Sequence, residues 1–571
     1  MTDKSILVKY WQTLYPETPF TRLEEFLSRL THGDASNDEQ DWYKDATLYA
    51  LYVDLFNTNF DGLIDKLDYL QDLGITCLWL LPILDSPMRD AGFDIKNYDR
   101  IRPDLLGMSE SASKEEQALA FKGFLKAAHN HHIKVIFDVA INHTSDQNPW
   151  FIESQKTIPN QYSDYYIWRD QPDKYLEARL LFKGIEDSNW EKSGNRYYFH
   201  RFFSFQPDLN YRNPEVLLAM TRNLLYWQEM GADGFRADAI PYLWKEDHTS
   251  CENLDNTHVI VKFFRAVLDY VKPGTLLLAE ACQQPKEVVK YLGNSDECHV
   301  AYHFPLMPMM FKAIAMQNGT PIKHTLSREV TPEINEENQW MTFLRVHDEL
   351  SLELVYVSEE DRHYIHSRYC HDPKWDFRLG EGISARLSEL MQRNPDKIAL
   401  SYSLMLTLTG TPVVYYGDEF GKLNDETYYN EQIRLTGKDD TRFLVRGRID
   451  WDQLEADLSD ENNFHFRVFE LIFGMLNSRK KQKAFGRGDT QFVDIQNHEG
   501  HDCPGVLAYY RTYHQEQLLI INNLSDKLVK LKNPIPEKDM AILFPKGMRV
   551  EDPDNQIVLE PYGFVWFLVL E

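Results

Sequence analysis

The sequence predicts an α/β fold centred on a parallel sheet of about eight strands, either doubly wound or closed into a barrel. Short apolar runs alternate with helical segments from about residue 47 onward. The runs are apolar on both faces, which is typical of parallel strands that helices cover on both sides. The chain has 571 residues, more than one hydrophobic core usually supports, so we expect two or three domains.

The strands of this sheet can be assigned in chain order. The first three are predicted in TLYALYVDLF, ITCLWLLP and KVIFDVAIN, and helical periodicity is found between them in GLIDKLDYLQDLG and FKGFLKAAHNHH. This order is βαβαβ, the repeating unit of parallel sheets. Later strands are predicted in ADGFRADAI, GTLLLAEA, QWMTFLRV and TPVVYYGDE.

Three stretches depart from this alternation. The N-terminal stretch predicts two amphipathic helices followed by the polar segment HGDASNDEQ, a linker or turn. A long polar and aromatic stretch after the third strand exceeds what a structureless loop allows, so it predicts an inserted domain. The C-terminal stretch has the alternating pattern of antiparallel strands. The predicted division is 1–40 (helical segment), 41–143 with 213–485 (sheet and helices), 144–212 (inserted domain B) and 486–571 (antiparallel β-domain).

The net charge limits the classes of partner. With 61 basic and 88 acidic residues the formal charge is -27, which opposes binding to nucleic acids and to anionic membrane surfaces. A neutral small molecule is a better match, although the charge also serves solubility alone. The sequence leaves open whether the chain forms a homo-oligomer.

Cysteine and hydrophobic patterns point to a reducing compartment. Six cysteines are scattered without a CxxC pair, so we expect them to be reduced. The N-terminus lacks the apolar core of a signal peptide, and no run of 18 apolar residues occurs. These features predict a cytoplasmic protein.

Polar residues end four of the apolar runs, and they are the candidates for chemistry. A single carboxylate at such a place is more often a helix cap or a structural acid. Several acids with arginine and histidine beside them would crowd like charges into one site, which is costly without a function. Glycoside hydrolysis uses such a set, because one carboxylate attacks the anomeric carbon and a second carboxyl group protonates the leaving oxygen. The four runs end in Asp138-Val-Ala-Ile-Asn142-His143, Arg236-Ala-Asp238, Ala279-Glu280 and His347-Asp348.

These four motifs, with QPDLN at 206–210 and GTPVVYYGDE at 410–419, resemble in order and spacing the α-amylase family of glycoside hydrolases, family thirteen, over about residues 45–570. The resemblance implies a (β/α)8 TIM barrel with an inserted domain after strand 3 and a C-terminal antiparallel β-domain. It also implies a retaining mechanism. The implied roles are Asp238 as nucleophile, Glu280 as acid/base, Asp348 as third acid, Arg236 as partner of the nucleophile, and His143 and His347 as ligands of the glucose.

The resemblance further implies a closed sugar pocket. Asp90 in SPMRDAGFD matches the acid that caps the non-reducing end of the bound glucose, and Arg442 in KDDTRF matches its salt-bridge partner. Gln206, the first residue of QPDLN, belongs to the same binding set. Phe93 stands where the family usually has a tyrosine stacked on the sugar, so the stacking remains without the hydroxyl. A closed end implies action on terminal glucosyl units.

Within the family, several substrates remain open. The run from 236 to 310 is most similar to trehalose synthases, which isomerise maltose to trehalose, whereas YVDLFNTNFDGLIDKLDYL and KDDTRFLVRGRIDW are similar to amylosucrase. The expected partners are therefore small α-glucosides: maltose, trehalose, sucrose or short oligosaccharides. The resemblance favours trehalose-synthase-like isomerisation of maltose, and the alternatives are a hydrolytic, exo-acting α-glucosidase and a sucrose-active, amylosucrase-type glucosyltransferase. A non-catalytic relative would lack one of the three acids, and a metalloenzyme would show HxH or HExxH spacing.

No cofactor is required for this chemistry. The segment DLFNTNFDG lacks the repeat of oxygen ligands that forms a calcium loop in many relatives, so we predict no ion there. Asn142 and Asp208 are the remaining candidates for a structural calcium, and stabilising side-chain hydrogen bonds are the favoured alternative.

Overall fold

The computed structural model of the protein describes residues 4–33, 40–182, 184–534, 539–551 and 556–570. Its centre is a closed barrel of eight strands, and every neighbouring pair is parallel. The predicted (β/α)8 barrel is therefore confirmed. The strands are β1 (Leu48–Leu51), β2 (Cys77–Leu80), β3 (Lys134–Ala140), β4 (Gly234–Asp238), β5 (Leu276–Ala279), β6 (Val300–Tyr302), β7 (Gln339–Phe343) and β8 (Thr411–Tyr415).

Helices surround the barrel and cover its outer face. Asn and Ser residues begin several of them, and Ser113 with Glu116 forms a complete capping box, which satisfies backbone amides that the first turn leaves unpaired. The strands are almost entirely buried, as sheets covered on both faces require. The barrel helices are Leu67–Leu73, Lys114–Asn130, Pro214–Met230, Asp255–Val271, Pro285–Val288, Leu306–Met316, Pro395–Thr407 and Phe464–Arg479.

Two helices, Lys4–Leu14 and Thr21–Leu27, lie in the N-terminal stretch, and part of the predicted linker, residues 34–39, falls outside the described residues. No helix in the described part of the chain is long and apolar enough to cross a membrane. The cysteines form no disulfide. Further helices are Val53–Asn57, Phe60–Ile64, Pro149–Ser154, Thr320–Thr325, Glu359–Tyr369, Leu387–Leu390, Glu426–Thr436, Trp451–Asp457 and Ala484–Arg487.

The segment between β3 and the next barrel helix contains a small antiparallel sheet. Its strands are Trp168–Arg169, Trp190–Ser193 and Arg196–Phe199, with the last in the middle. The segment returns to the barrel at its end, where Asp208 forms an isolated bridge with His143. This bridge places the end of the segment directly above β3.

The C-terminal stretch forms an antiparallel sheet, as the alternating pattern predicts. Residues of this sheet also pack on the barrel helices, since Asn522 accepts a hydrogen bond from Ser403 and Trp566 donates one to the same hydroxyl. The strands are β9 (Asp489–Val493), β10 (Val506–Tyr513), β11 (Glu516–Asn523), β12 (Val529–Leu531), β13 (Met540–Glu551) and β14 (Gln556–Val569).

The acid that ends GTPVVYYGDE is part of the barrel core. Glu419 is fully buried, and its Oε1 accepts hydrogen bonds from the Tyr49 hydroxyl at 2.7 Å and the Tyr69 hydroxyl at 2.8 Å. Burial raises the pKa of Glu419 to about 7, because desolvation disfavours the carboxylate. The folded state therefore binds this proton more tightly than the unfolded chain does.

This raised pKa predicts a loss of stability with rising pH. Glu419 stabilises the fold fully below the unfolded pKa of about 4.3, and the contribution is lost as pH rises through about 7. Glu419→Gln keeps an acceptor for both tyrosines but cannot ionise. When the pH is raised from 5 to 8, the unfolding free energy of the variant should fall by about 3 kcal/mol less than that of the original chain. Urea unfolding at both pH values measures this difference, and an identical pH dependence would contradict it.

Candidate active site

The carboxyl ends of β3, β4 and β5 bring three acids to one guanidinium. Ala140 lies opposite Asp238, and Leu278 lies opposite Arg236, so residues near the ends of the strands share one level of the barrel. Arg236 donates from Nη1 to Asp238 Oδ1 at 3.1 Å and to Asp138, and from Nη2 to Glu280. One arginine therefore holds both predicted catalytic carboxyl groups.

Burial governs the charges at this site. Arg236 is 2 % exposed, and although burial lowers the pKa of Arg236, Asp138 and Glu280 raise it well above its ordinary value. Burial and the neighbouring Glu280 raise the pKa of Asp238, while Arg236 opposes the shift. A negative charge on Glu280, which lies beside the same guanidinium, therefore opposes ionisation of Asp238.

The third acid lies at the end of the loop after β7. Asp348 Oδ2 is 3.0 Å from His347 Nε2, and Asp348 Oδ1 is 3.2 Å from Arg442 Nη1 and 3.4 Å from Arg446 Nη2. Although burial raises the pKa of Asp348, the contacts with His347, Arg442 and Arg446 hold it well below its usual range. Asp348 is therefore a fixed anion at the site.

The residues predicted to cap the sugar lie close together, but their contacts differ from the expectation. Gln206 Nε2 donates to Asp90 Oδ2 at 2.9 Å, which brings two predicted residues together. Arg442 Nη2 approaches Asp90 Oδ1 only to 3.9 Å, whereas it lies 2.6 Å from Asp440. Asp440, two residues earlier in KDDTRF, was missed in the sequence, although a pair of acids in that run was a visible signal. Arg442 is thus the centre of an acidic cluster that includes Asp90.

Aromatic rings surround the acids. The ring of Phe93 stacks on that of His347, with centroids 5.5 Å apart, and the Arg236 guanidinium lies 5.7 Å from the Phe93 centroid and 5.2 Å from that of Trp79. His143 is buried, and its Nε2 has no hydrogen-bond partner among the described residues. Burial lowers the pKa of His143, so its imidazole is suited to a neutral sugar hydroxyl.

A cavity of about 370 Å³ opens at this site, within the range of small-molecule sites. Glu280, Arg236, His347, Asp348 and Arg442 line it, whereas Asp238, Asp90, Phe93, His143 and Gln206 are not part of its lining. The lining also contains charged residues that were not predicted from the sequence: Arg179, Glu349, Glu353, Arg378 and Glu381.

The pair proposed for calcium holds a lysine instead. The Lys245 ammonium lies 2.7 Å from Asn142 Oδ1 and 2.7 Å from Asp208 Oδ2, and all three residues are buried. A positively charged group therefore already contacts both oxygens that would bind a divalent cation, so this donor set does not fit calcium. The side-chain alternative matches the observed contacts, and Lys245 lies too far along the sequence to have been assigned to them.

The calcium-loop region of other family members is a pair of short helices here. Asn59 Oδ1 accepts a hydrogen bond from the Gly62 amide, and Asn57 Nδ2 donates to the Gly62 carbonyl. These side chains cap a helix, which accounts for the asparagines in DLFNTNFDG.

Comparisons with known proteins agree with this architecture. The model of the alpha amylase catalytic domain matches residues 29–483, and that of the maltogenic amylase C-terminal domain matches residues 498–566. The trehalulose synthase MutB from Pseudomonas mesoacidophila has a similar fold, with a TM-score of 0.68 at 21 % identity over 94 % of this chain and 100 % of that one.

Relatives with more similar sequences carry trehalose synthase names. The chain is 36 % identical to trehalose synthase/amylase TreS of Mycobacterium tuberculosis (strain ATCC 25618 / H37Rv), over 92 % of this chain and 90 % of that protein. It is 38 % identical to trehalose synthase of Thermus thermophilus, over 92 % of this chain and 55 % of that protein. The barrel, the C-terminal sheet and these matches together show that the chain belongs to the α-amylase family of glycoside hydrolases.

Proposed function

We propose that the protein is a retaining α-glucosyl-transferring enzyme that isomerises maltose to trehalose. The proposal rests on the two hydrogen bonds that the Arg236 guanidinium donates to Asp238 and Glu280, at the ends of neighbouring strands. Such a pair of carboxyl groups supports a double displacement at the anomeric carbon. The similarity to trehalose synthases over most of the chain supports the choice of substrate.

In the first step Asp238 attacks carbon one of the terminal glucose. The bond from carbon one to the glycosidic oxygen breaks, a β-glucosyl ester of Asp238 forms, and Glu280 gives its proton to the leaving hydroxyl. In the second step Glu280 takes the proton of an acceptor hydroxyl, which attacks carbon one and releases Asp238. Two inversions leave the product in the α configuration.

The binding residues hold the terminal glucose between these steps. Asp348, His347 and His143 bind its hydroxyls, Phe93 packs on its face, and Asp90 caps the non-reducing end together with its partners Gln206 and Arg442. The freed glucose turns within the cavity, where Glu349 and Glu353 accept hydrogen bonds and Arg179 and Arg378 donate them. Its anomeric hydroxyl then becomes the acceptor, which yields trehalose.

Hydrolysis by an α-glucosidase is the second candidate. The specific observation in its favour is 26 % identity to oligo-1,6-glucosidase of Bacillus cereus over 93 % of this chain. The two activities differ only in whether water or the freed glucose attacks the glucosyl ester.

Product analysis separates the candidates. The enzyme is incubated with maltose, sucrose and trehalose separately, and every product is identified by chromatography and proton NMR. We expect maltose and trehalose to interconvert, with α-glucose as the minor product. Glucose as the main product from maltose would favour the glucosidase, and turnover of sucrose alone would favour the amylosucrase-type reaction.

We also propose that the protein needs no calcium. Burial lowers the pKa of Lys245 and Asp208 counters this, so the ammonium and the carboxylate stabilise each other at the junction of the inserted segment with β3. We propose the division into 1–40, 41–143 with 213–485, 144–212 and 486–571. The family models support only its boundary near 485, since one match ends at residue 483 and the other begins at residue 498. A cytoplasmic location belongs to the same proposal.

Lys245 provides a direct test. Lys245→Met leaves Asp208 as a buried, uncompensated charge, so the unfolding free energy should fall by about 3–5 kcal/mol. Lys126→Met removes an exposed lysine and should change stability little. Prolonged chelation should leave the melting temperature of the original chain unchanged. A large decrease on chelation that calcium reverses would contradict the proposal.

A further inference from the structure

A second cavity lies away from the catalytic one, between outer helices of the barrel and the C-terminal sheet. Its volume is about 170 Å³, and none of its lining residues also lines the catalytic cavity. The wall combines the ends of Leu306–Met316 and Glu359–Tyr369 with one residue of β14. Its polar lining includes Gln317, Arg368, His371, Gln392, Lys397 and Tyr562.

The charge of this cavity is opposite to that of the whole protein. No aspartate or glutamate is among its lining residues, although the chain has a formal charge of -27. Arg368 and Lys397 form no ion pair among the described residues, and they face only rings, Tyr364 at 5.3 Å and Tyr562 at 5.3 Å. The neighbouring Asp396 is bound to Lys546 at 2.7 Å. The cationic groups are therefore available to a ligand.

The backbone is also unusual here. Gln317, Gln392 and Tyr562 have φ angles of 53°, 57° and 57°, in the left-handed region that residues other than glycine rarely adopt. Gln317 is the C-cap of helix Leu306–Met316, a common place for this conformation, and Tyr562 lies where the register of β13 against β14 shifts. The amide of Tyr562 donates to the carbonyl of Ser525, in the loop between β11 and β12, at 3.0 Å, which fixes Tyr562 at the cavity.

We propose that this cavity binds a phosphate monoester of a small sugar. Arg368 and Lys397 neutralise the phosphate, and the Tyr562 ring packs against the C–H face of the sugar. Three helices end at the cavity, Leu306–Met316, Glu359–Tyr369 and Leu387–Leu390, and the partial negative charge of these ends disfavours a bare anion. Their carbonyl oxygens accept hydrogen bonds from hydroxyl groups, so a sugar phosphate fits better than free phosphate.

Calorimetric titration of the full chain tests the site with three probes: glucose 6-phosphate, inorganic phosphate and glucose. We expect the tightest binding for glucose 6-phosphate, weaker binding for phosphate, and a Kd that rises with salt concentration. Arg368→Ala with Lys397→Ala should raise the Kd for glucose 6-phosphate about tenfold or more. The control, Lys156→Ala with Arg328→Ala, removes two exposed cations that pair elsewhere and should leave it unchanged.

A substitution of Tyr562 distinguishes binding of a sugar phosphate from binding of free phosphate. Tyr562→Gly removes the ring and suits the left-handed backbone, so it should weaken binding of glucose 6-phosphate but not of inorganic phosphate. Equal loss for both probes, or equal affinity of the original chain for both, would overturn the sugar part of the proposal. Absence of binding to either phosphate, or equal effects of the cavity and control variants, would overturn the site itself. Circular dichroism of each variant establishes that it is folded.

Discussion

Asp238→Asn is expected to lower kcat by about 10⁴-fold or more while the barrel remains folded. The amide has nearly the shape of the carboxylate but cannot form the glucosyl ester, so the reaction loses its covalent route. Arg236 keeps Asp138 and Glu280 as partners, so the change should not leave a buried cation unpaired. Steady-state kinetics with maltose, together with circular dichroism, measures both parts of the expectation.

A second variant serves as the control for this assignment. Glu280→Gln should also be slow on maltose, yet it should retain part of its activity on α-glucosides with a good leaving group, because their first step needs no proton. Asp238→Asn should remain inactive on the same substrates. Near-normal activity of folded Asp238→Asn on any of them would refute its role as nucleophile.

Arg442→Ala is expected to raise KM for disaccharides by about 10²- to 10³-fold. Although burial raises the pKa of Asp440, Arg442 lowers it to about 2. Arg442 also contacts Asp348 and Asp90. Its removal leaves Asp440, Asp348 and Asp90 with less compensating charge, and the loss of one partner of a buried pair costs about 3–5 kcal/mol. Kinetics with maltose and thermal unfolding separate lost binding from lost stability.

The structure suggests a sharper form of this experiment. Adding Asp440→Asn to Arg442→Ala removes the carboxylate most tightly held by the arginine, so stability should partly recover while KM stays high. Arg434→Ala, an exposed arginine in the same region, should behave as the original chain. If the double variant bound maltose normally, the cap would not depend on Arg442. If Asp90 and its partners close one end of the site as proposed, starch should be a poor substrate for the original chain, and rapid internal cutting would contradict this.

The barrel was predictable because its strands are long enough to show a pattern. KVIFDVAIN and GTLLLAEA are continuous apolar runs, and both became strands at nearly the expected positions. β6 has only three residues, too few for a periodic signal, and it was not among the assigned runs. β13 carries little signal of its own, because none of its side chains is fully buried and its sequence lacks the alternation of a half-buried strand.

The site was predictable where a strand end fixes the position of a residue. Asp238 and Glu280 follow apolar runs directly, so their proximity follows from a parallel sheet. Long-range pairing was not predictable in the same way. Lys245 reaches Asn142 across 103 positions of sequence, and the preference of Arg442 for Asp440 over Asp90 depends on loop geometry that spacing alone does not determine.

The Lys245 contact has a consequence for how the protein responds to its medium. A bound ion stabilises a fold by mass action, by about 2.7 kcal/mol at a free concentration one hundred times its Kd and by nothing when the ion is absent. A lysine side chain cannot dissociate, so its effective concentration at Asn142 and Asp208 is set by the covalent chain. The anchorage of the inserted segment should therefore be the same in calcium-poor and calcium-rich solutions.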